Sequence, residues 1–227
     1  MKKLLLLTVL FLAIANVHAQ QLSQIVFSRG SDLSSIGILT DQGVLIRLSD
    51  EGRIIEWGKE VKALNYDMYA PQLQPFPGRV DYYSTEADSV SRGKIKSIGT
   101  CTFTYYGAWE TAEKVGKIKS IGTLTLDYFS QFDNTALKGK IKQAGTVAFD
   151  YYGAYENEML RGKLKLVGNN SIVYHSSFDD KAIRGKIKSV GSVTYTWYTS
   201  LDPGNAGGAL KSPSYRQNIN GVIYIIR

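Results

Sequence analysis

Ten lysine side chains recur in pairs through the middle of the sequence. The pairs have the form Lys-x-Lys and begin 23 residues apart: Lys94 with Lys96, Lys117 with Lys119, Lys140 with Lys142, Lys163 with Lys165, and Lys186 with Lys188. Alternate residues of a strand point to the same face, so each pair is predicted to present two ammonium groups together. Five pairs spaced by about 10 Å would form a basic strip of roughly 40 to 50 Å, suited to an acidic lipid or glycan surface. The alternative is a solvated face whose charges prevent aggregation through sheet edges.

Acidic and aromatic residues share this spacing. One acid recurs at the same position of each unit: Glu110, Asp133, Glu156, Asp179 and Asp202. These acids stand beside turn-forming residues, so turn formation with a salt bridge is favoured over calcium binding or acid catalysis. Two aromatic columns are Tyr105, Tyr128, Tyr151, Tyr174 and Trp197, and then Trp109, Phe132, Tyr155 and Phe178. Such columns could stack on sugar rings, but they also stabilise sheets as cross-strand ladders, and packing is favoured.

Catalytic and metal-binding residues are scarce. Cys101 is the only cysteine, and it occupies the repeat position that holds Leu124 and Val147 in later units, so it is predicted to be a small core residue. His175 is the only histidine beyond residue 19. A lone histidine far from a lone cysteine cannot build the usual zinc site or nucleophile pair. The sequence therefore predicts no catalytic residues, no metal and no cofactor.

The first 19 residues have the pattern of a secretory signal peptide. Lys2 and Lys3 precede an apolar run, and Val17 and Ala19 are the small residues expected before a cleavage point. The run is shorter than the roughly 20 residues needed to span a bilayer, and no later stretch is apolar enough to do so. We therefore expect cleavage after Ala19 and export to the periplasm or the cell exterior.

Residues 20–70 are predicted to form a small β-meander. Short apolar strands at 25–27, 36–39, 44–48 and 53–57 are separated by the turns Thr-Asp-Gln-Gly at 40–43 and Ser-Asp-Glu-Gly at 49–52. Each turn places an aspartate two residues before a glycine that can adopt positive φ. Residues 71–78 contain three prolines and are predicted to be an irregular connector.

Residues 79–207 form an array of 23-residue units. A glycine opens each full unit, at Gly93, Gly116, Gly139, Gly162 and Gly185, and Gly208 opens a sixth. Apolar and polar residues then alternate, which predicts strand. A second glycine, Gly99 in the first unit, suits the first central position of a two-residue hairpin turn, with a bulge as the alternative. Two strands per unit predict an elongated antiparallel hairpin ribbon, which residues 208–227 would cap.

Neighbouring units are expected to make the main contacts in such a ribbon, because each unit covers its apolar side with the next. The deletion of one whole unit, residues 139–161, is therefore expected to leave a folded chain. The sequence as a whole predicts an all-β fold, with the meander preceding the ribbon.

The segment from Tyr105 to Trp109, Tyr-Tyr-Gly-Ala-Trp, is followed by Gly116. With the 23-residue period it resembles the Tyr-x-Gly-x-Trp signature of membrane occupation and recognition nexus (MORN) repeats. Tyr151 to Tyr155, followed by Gly162, is a second such segment, while Ala112 and Ile118 replace two glycines of the family pattern. The resemblance implies β-hairpin strings with a role in scaffolding or in binding acidic lipid surfaces.

Net charge and repeats together point to a binding role. The formal net charge is +7, and the basic residues concentrate in the array. We expect a secreted, non-enzymatic binding or structural module of the cell envelope that contacts acidic lipid, acidic glycan or another envelope protein through the lysine rows. The alternative is a carbohydrate-binding module that uses the aromatic columns. Nucleic acid is not an expected partner outside the cell.

Overall fold

The computed structural model describes residues 20–61, 72–204 and 206–227. The predicted signal peptide, residues 62–70 of the predicted meander and the first residue of the connector lie outside the described residues. All regular structure in the described part is β, with 20 strands in three sheets. None of the described residues forms a helix of the length and apolarity needed to cross a membrane. The predicted all-β fold class is confirmed.

The predicted meander is present. Its strands are β1 (Gln21–Ser28), β2 (Asp32–Leu39), β3 (Leu45–Leu48), β4 (Ile54–Glu60) and β5 (Leu73–Gln74). Each pairs antiparallel with the next. Both Asp-x-Gly turns have positive φ at the glycine, +71° at Gly43 and +78° at Gly52, as the sequence predicts. Part of the predicted connector is β5, so the segment with three prolines is not wholly irregular.

The repeat array forms an eleven-stranded antiparallel sheet followed by a two-stranded one. The ribbon strands are β6 (Val80–Tyr82), β7 (Ile95–Ile98), β8 (Cys101–Tyr105), β9 (Ile118–Ile121), β10 (Leu124–Tyr128), β11 (Ile141–Ala144), β12 (Val147–Tyr151), β13 (Leu164–Val167), β14 (Asn170–Tyr174), β15 (Ile187–Val190) and β16 (Val193–Thr194); the smaller sheet contains β17 (Thr196–Trp197) and β18 (Leu210–Ser212). Each unit is therefore one hairpin and one longer loop.

The second glycine of each unit makes the tight turn of the hairpin. Ile98 pairs with Cys101, which leaves Gly99 and Thr100 as the two central residues. Gly99 has a φ of +58°, whereas Thr100 is absent from the residues with positive φ, a combination typical of a type II′ turn. The sequence left a hairpin turn and a bulge open at this glycine, and the structure shows the turn.

A β-bulge falls instead on the second lysine of every pair. Thr104 pairs with Ser120 and Tyr105 pairs with Ile118, so Lys119 is the extra residue on its strand. The same skip occurs at Lys96, Lys142, Lys165 and Lys188. An extra residue reverses the alternation of faces, and this is why Ile118 and Ile121, three apart, are both buried. Strict alternation, which placed both lysines of a pair together on one face, does not hold here.

The end of the chain joins the meander. Strands β19 (Arg216–Ile219) and β20 (Val222–Ile226) form a hairpin, and β20 pairs in parallel with β1. The sequence predicts that this strand caps the last repeat. It lies instead inside a seven-stranded sheet of order β19-β20-β1-β2-β3-β4-β5, because its apolar residues are buried there: Tyr224, Ile225 and Ile226 are at most 1% exposed.

The seven-stranded sheet packs on the ribbon, and the two share one hydrophobic core. Gln20 accepts a hydrogen bond from the Thr123 backbone N–H at 2.9 Å, which fixes one edge of the contact. Asn170 donates to the hydroxyl of Tyr224 at 3.1 Å inside the core. The protein is therefore a two-layer β structure in which the ribbon has contacts beyond those between neighbouring units. The expectation that one unit could be removed at little cost does not account for these contacts.

Candidate functional site

The first lysines of the pairs, which we call the inner row, lie partly buried between the sheets. They are Lys94, Lys117, Lys140, Lys163 and Lys186. Each ammonium group lies over the aromatic ring at the end of its own hairpin, with Nζ between 4.7 and 5.3 Å from the ring centroid. The rings belong to Tyr105, Tyr128, Tyr151, Tyr174 and Trp197. Cation–π contacts with desolvated groups are worth about 2 kcal/mol, so the inner row contributes to folding.

The inner row also makes hydrogen bonds and ion pairs inside the molecule. Lys94 and Lys117 donate to the carbonyl oxygens of the glycines that open the next units. Lys140 pairs with Asp50 of the meander, and Lys163 lies 3.3 Å from Asp32. Burial lowers the pKa of Lys94, Lys117 and Lys186. These lysines therefore join unit to unit and sheet to sheet.

The second lysines, which we call the outer row, are more exposed. Lys142 and Lys165 have side-chain exposures of 48% and 45%, against 19% and 16% for Lys140 and Lys163. Lys142 lies 3.9 Å from Asp133, and Lys165 lies 3.7 Å from Glu156. In the described part of the chain no ion pair involves the other outer-row members, Lys96, Lys119 and Lys188. The lysine rows are thus two separate sets, and their role in ligand binding stays a prediction.

The acidic column builds the loop that follows each hairpin. The carboxylate of Asp133 accepts hydrogen bonds from Ser130, at 2.6 Å from the backbone N–H and 2.9 Å from the hydroxyl. Asp179 and Asp202 make the same bonds with Ser176 and Thr199. These bonds hold the pKa of all three carboxyl groups below the ordinary range. Turn formation, favoured from the sequence, describes these three aspartates, and ion pairs with lysines are formed by Asp133, Glu156 and Asp202.

The first aromatic column is structural. Tyr128 is 1% exposed, and its hydroxyl donates to the Ile118 carbonyl oxygen at 2.8 Å. Tyr174 makes the same bond within its own unit, and so does the indole N–H of Trp197. Neighbouring rings meet edge to face, as Tyr106 and Tyr128 do at 6.1 Å between centroids. Packing, which was favoured from the sequence, accounts for this column.

The second aromatic column lies in solvent. Its members stand in the loops, and a fifth apolar residue extends the series: Trp109, Phe132, Tyr155, Phe178 and Leu201. The least exposed of them, Phe132, is 87% exposed. We call this set the exposed ladder. Packing does not account for it, because its side chains bury almost none of their surface.

Hydrogen bonds between successive loops hold the ladder in line. The side-chain oxygen of Asn134 accepts from the backbone N–H of Ala154 at 2.8 Å, directly before Tyr155 in the sequence. Asp180 accepts from the backbone N–H of Ser200 at 2.9 Å in the same manner, directly before Leu201. Successive units are two strands apart, and neighbouring strands are spaced by about 4.8 Å, so ladder residues repeat every 10 Å or so. The ladder is therefore a row of apolar side chains on ordered loops.

A cleft of about 590 Å³ opens between the meander and the first two units. Trp57 and Ile54 line it from the meander, and Tyr82, Tyr105 and Ile118 line it from the ribbon. Its charged side chains are Glu51, Arg53, Lys94 and Lys117, of which Glu51 and Arg53 form an ion pair. Three cations and one carboxylate make it basic. The lining contains neither a histidine nor a cysteine.

Cys101 and His175 both lie outside the cleft lining. Cys101 is buried, and burial raises the pKa of its thiol to about 11. His175 lies 3.5 Å from Asp179 in one of the loops. No cluster of three or more potential metal-ligating residues occurs in the ranges that the structure describes.

Comparisons of the chain with protein-family models, with curated proteins and with solved structures find no match. The resemblance to MORN repeats therefore remains a prediction that rests on the residues quoted for it.

The sequence indicates the four aromatic ladder residues and favours a packing role for them, whereas Leu201, being aliphatic, falls outside that aromatic column. The signal that separates the two columns is position: Trp109 lies between Gly107 and Glu110, inside the turn segment, whereas Tyr105 ends a strand. An aromatic residue among turn formers belongs to a loop and has no neighbouring strand to cover it.

Proposed function

We propose that the chain is an exported, non-enzymatic binding module of the cell envelope, and that the exposed ladder binds an extended neutral glycan. The observation that carries the proposal is the near-complete exposure of five apolar side chains at one position of the repeat. Rows of exposed apolar side chains mark interaction sites, because a soluble protein gains nothing by leaving them uncovered. This is the carbohydrate alternative that the sequence left open.

The repeat distance favours a polymer of sugars. Ladder residues recur every 10 Å or so, close to the length of a disaccharide in an extended β-linked glycan, so every second ring could stack on one side chain. The apolar face of a pyranose ring would cover one face of an aromatic ring. A covered face of about 100 Å² corresponds to roughly 2.5 kcal/mol before the costs of binding are subtracted.

The charges beside the ladder favour a neutral ligand. An acid follows each ladder residue directly, from Glu110 after Trp109 to Asp202 after Leu201. This row of carboxylates would repel anionic lipid or an acidic glycan. Carboxylate oxygens accept hydrogen bonds from sugar hydroxyls, and such charge-assisted bonds are about twice as strong as neutral ones.

The lysine rows support the acidic-surface hypothesis less well. Inner-row ammonium groups have partners within the molecule, and two outer-row lysines pair with the acids of the loops. A polyanion would have to compete with these contacts. MORN-like scaffolding at an acidic membrane surface therefore stands as the second proposal, favoured only by the basic balance of the array.

The test is binding of the mature chain to neutral hexasaccharides of the cello, xylo, manno and laminari series. We expect saturable binding to at least one of them at both 50 mM and 500 mM salt. Alanine at one ladder position, for example Tyr155→Ala, should weaken binding about tenfold, which corresponds to about 1.4 kcal/mol. Val173→Ala is the matched control, since Val173 is an exposed apolar residue on a strand, outside the ladder.

Two results would reject this proposal. One is the absence of binding to every neutral hexasaccharide. The other is binding that Tyr155→Ala and Val173→Ala leave equally unchanged. Retention on vesicles of anionic lipid that falls steeply with salt, and that glutamine at Lys96 and Lys119 removes, would establish the lysine rows instead.

A further inference from the structure

The meander already places one acidic turn against the ribbon. The backbone N–H of Ile141 donates to the Asp50 carbonyl oxygen at 2.7 Å, and the ammonium group of Lys140 pairs with the Asp50 carboxylate. Two residues later, Gly52 lies against the ring of Tyr128, so close that a Cβ there would be 2.2 Å from the tyrosine hydroxyl oxygen. Asp-x-Gly is thus the motif that this part of the ribbon holds.

The three ribbon groups that hold the turn lie at one junction between consecutive units. Tyr128 and Ile141 are cross-strand partners, and Lys140 directly precedes Ile141. A shift of one 23-residue unit converts them to Tyr105, Ile118 and Lys117. Tyr105 and Ile118 are partners in the same register, with the same bulge beside them. The backbone geometry that receives Asp50 is therefore repeated one unit earlier.

The copy lies in the cleft. Tyr105, Lys117 and Ile118 all line it, together with Lys94. No ion pair involves Lys94 or Lys117 among the residues that the structure describes, whereas Asp50 pairs with Lys140 and Asp32 with Lys163 one and two units further along the ribbon. Lys117 donates one hydrogen bond to the Gly139 carbonyl oxygen, and the other N–H groups of its ammonium group can donate to a single carboxylate. The cleft volume lies within the range of about 300–1,000 Å³ found for ligand pockets, which suits a tight turn.

We propose that this cleft binds an Asp-x-Gly turn of a partner protein, held in the manner of Asp50 and Gly52. The partner aspartate would pair with Lys117 and accept the backbone N–H of Ile118 at its carbonyl oxygen. The partner glycine would lie against Tyr105, where any larger residue would collide with the ring. The excess of cations in the cleft complements the acid. This site is separate from the exposed ladder and does not depend on the glycan proposal.

The experiment uses a head-to-tail cyclic peptide with the sequence of residues 46–57, which contains the Asp50–Gly52 turn. Its binding to the mature chain is measured by isothermal titration calorimetry. We expect one saturable site. The peptide with Asp50→Asn should bind at least tenfold more weakly, a comparison that leaves the protein unchanged. Lys117→Gln in the protein should produce a similar loss.

Lys119→Gln is the matched control, because Lys119 lies two residues after Lys117, belongs to the outer row and does not line the cleft. It should leave the affinity unchanged. The proposal is overturned if the peptide does not saturate a site, or if the asparagine peptide binds as well as the parent. It is also overturned if hexagalacturonate displaces the peptide and binds more tightly, since the cleft would then be a site for acidic sugars.

Discussion

Replacing Gly52 by alanine is expected to weaken the packing of the meander on the ribbon, and a matched glycine makes the magnitude measurable. Gly43 and Gly52 close equivalent Asp-x-Gly turns with φ of +71° and +78°. A Cβ at Gly43 would have nothing within 4 Å, whereas at Gly52 it would be 2.2 Å from the Tyr128 hydroxyl oxygen. The backbone cost is thus the same in both turns, and only Gly52 has a packing cost.

The expected free energies follow from these two terms. A left-handed conformation costs a residue with a Cβ about 1–2 kcal/mol, so Gly43→Ala should destabilise by that amount. Overpacking costs a further 1–3 kcal/mol or so, which should appear only in Gly52→Ala. Both variants are compared with the parent chain by urea denaturation, monitored by tryptophan fluorescence and far-UV circular dichroism.

A third variant isolates the cause. Tyr128→Phe removes the nearest atom, and the loss of its hydrogen bond to Ile118 should cost about 0.5–1.5 kcal/mol on its own. Combined with Gly52→Ala, the total cost should be smaller than the sum, because part of the collision is gone. Equal costs for Gly43→Ala and Gly52→Ala, or strict additivity with Tyr128→Phe, would refute the packing of this turn on the ring.

Other consequences concern the lysine rows, the loops and the thiol. Lys140→Gln should destabilise the protein by about 1–3 kcal/mol in urea denaturation, because it leaves the Asp50 carboxylate unpaired. Lys142→Gln at the surface should change the stability by less than about 0.5 kcal/mol. Equal effects of the two variants would contradict the division into two rows. Hydrogen bonds from Ser130 hold the pKa of the Asp133 carboxyl below its ordinary value, so its stabilisation is present at neutral pH and is lost as the pH falls through the lowered folded-state pKa. The stability difference between the parent and Asp133→Asn should therefore be largest at pH 7 and shrink as the pH falls below the ordinary carboxyl range; a difference that stays constant with pH would argue against it. The Cys101 thiol, with a pKa of about 11, should react with a thiol reagent at pH 8 only in denaturant, and rapid labelling of the folded chain would be inconsistent with its burial. Deletion of residues 139–161 should lower the urea midpoint clearly, because Lys163 would replace Lys140 at the meander turn but Ala209 would then stand where Lys186 bonds to the Arg29 carbonyl oxygen; an unchanged midpoint would show that contacts between neighbouring units suffice.

The sequence by itself determined the strands, the period and the tight turns. These features depend on local physics: alternation of apolar and polar residues defines a half-buried strand, and positive φ at Gly43, Gly52 and Gly99 is inexpensive only for glycine. The assignment of Cys101 to the core also followed from its repeat position, since that column holds the apolar residues Leu124, Val147 and Val193 in three of the four other units, with Asn170 in the fourth.

The exposed ladder could be predicted from the sequence only in part. Its residues and spacing are plain in the sequence, but Tyr105 and Trp109 are both aromatic, and composition cannot tell a ring that ends a strand from a ring in a loop. Coverage by the second sheet, which buries Tyr128 and leaves Phe132 in solvent, is a property of how the layers meet.

The tertiary structure alone decided which face each lysine points to and which sheet the last strand of the chain joins. A bulge at Lys119 inserts one residue, so the side chains that follow it in the strand point to the face opposite to the one that strict alternation predicts. A bulge at a lysine has no marker in the sequence, such as a glycine. Pairing of β20 with β1 joins residues about 200 apart in the sequence. Its free energy comes from burying an apolar strand between two others and from closing the second layer over the ribbon, and neither term is present until both ends of the chain have folded together.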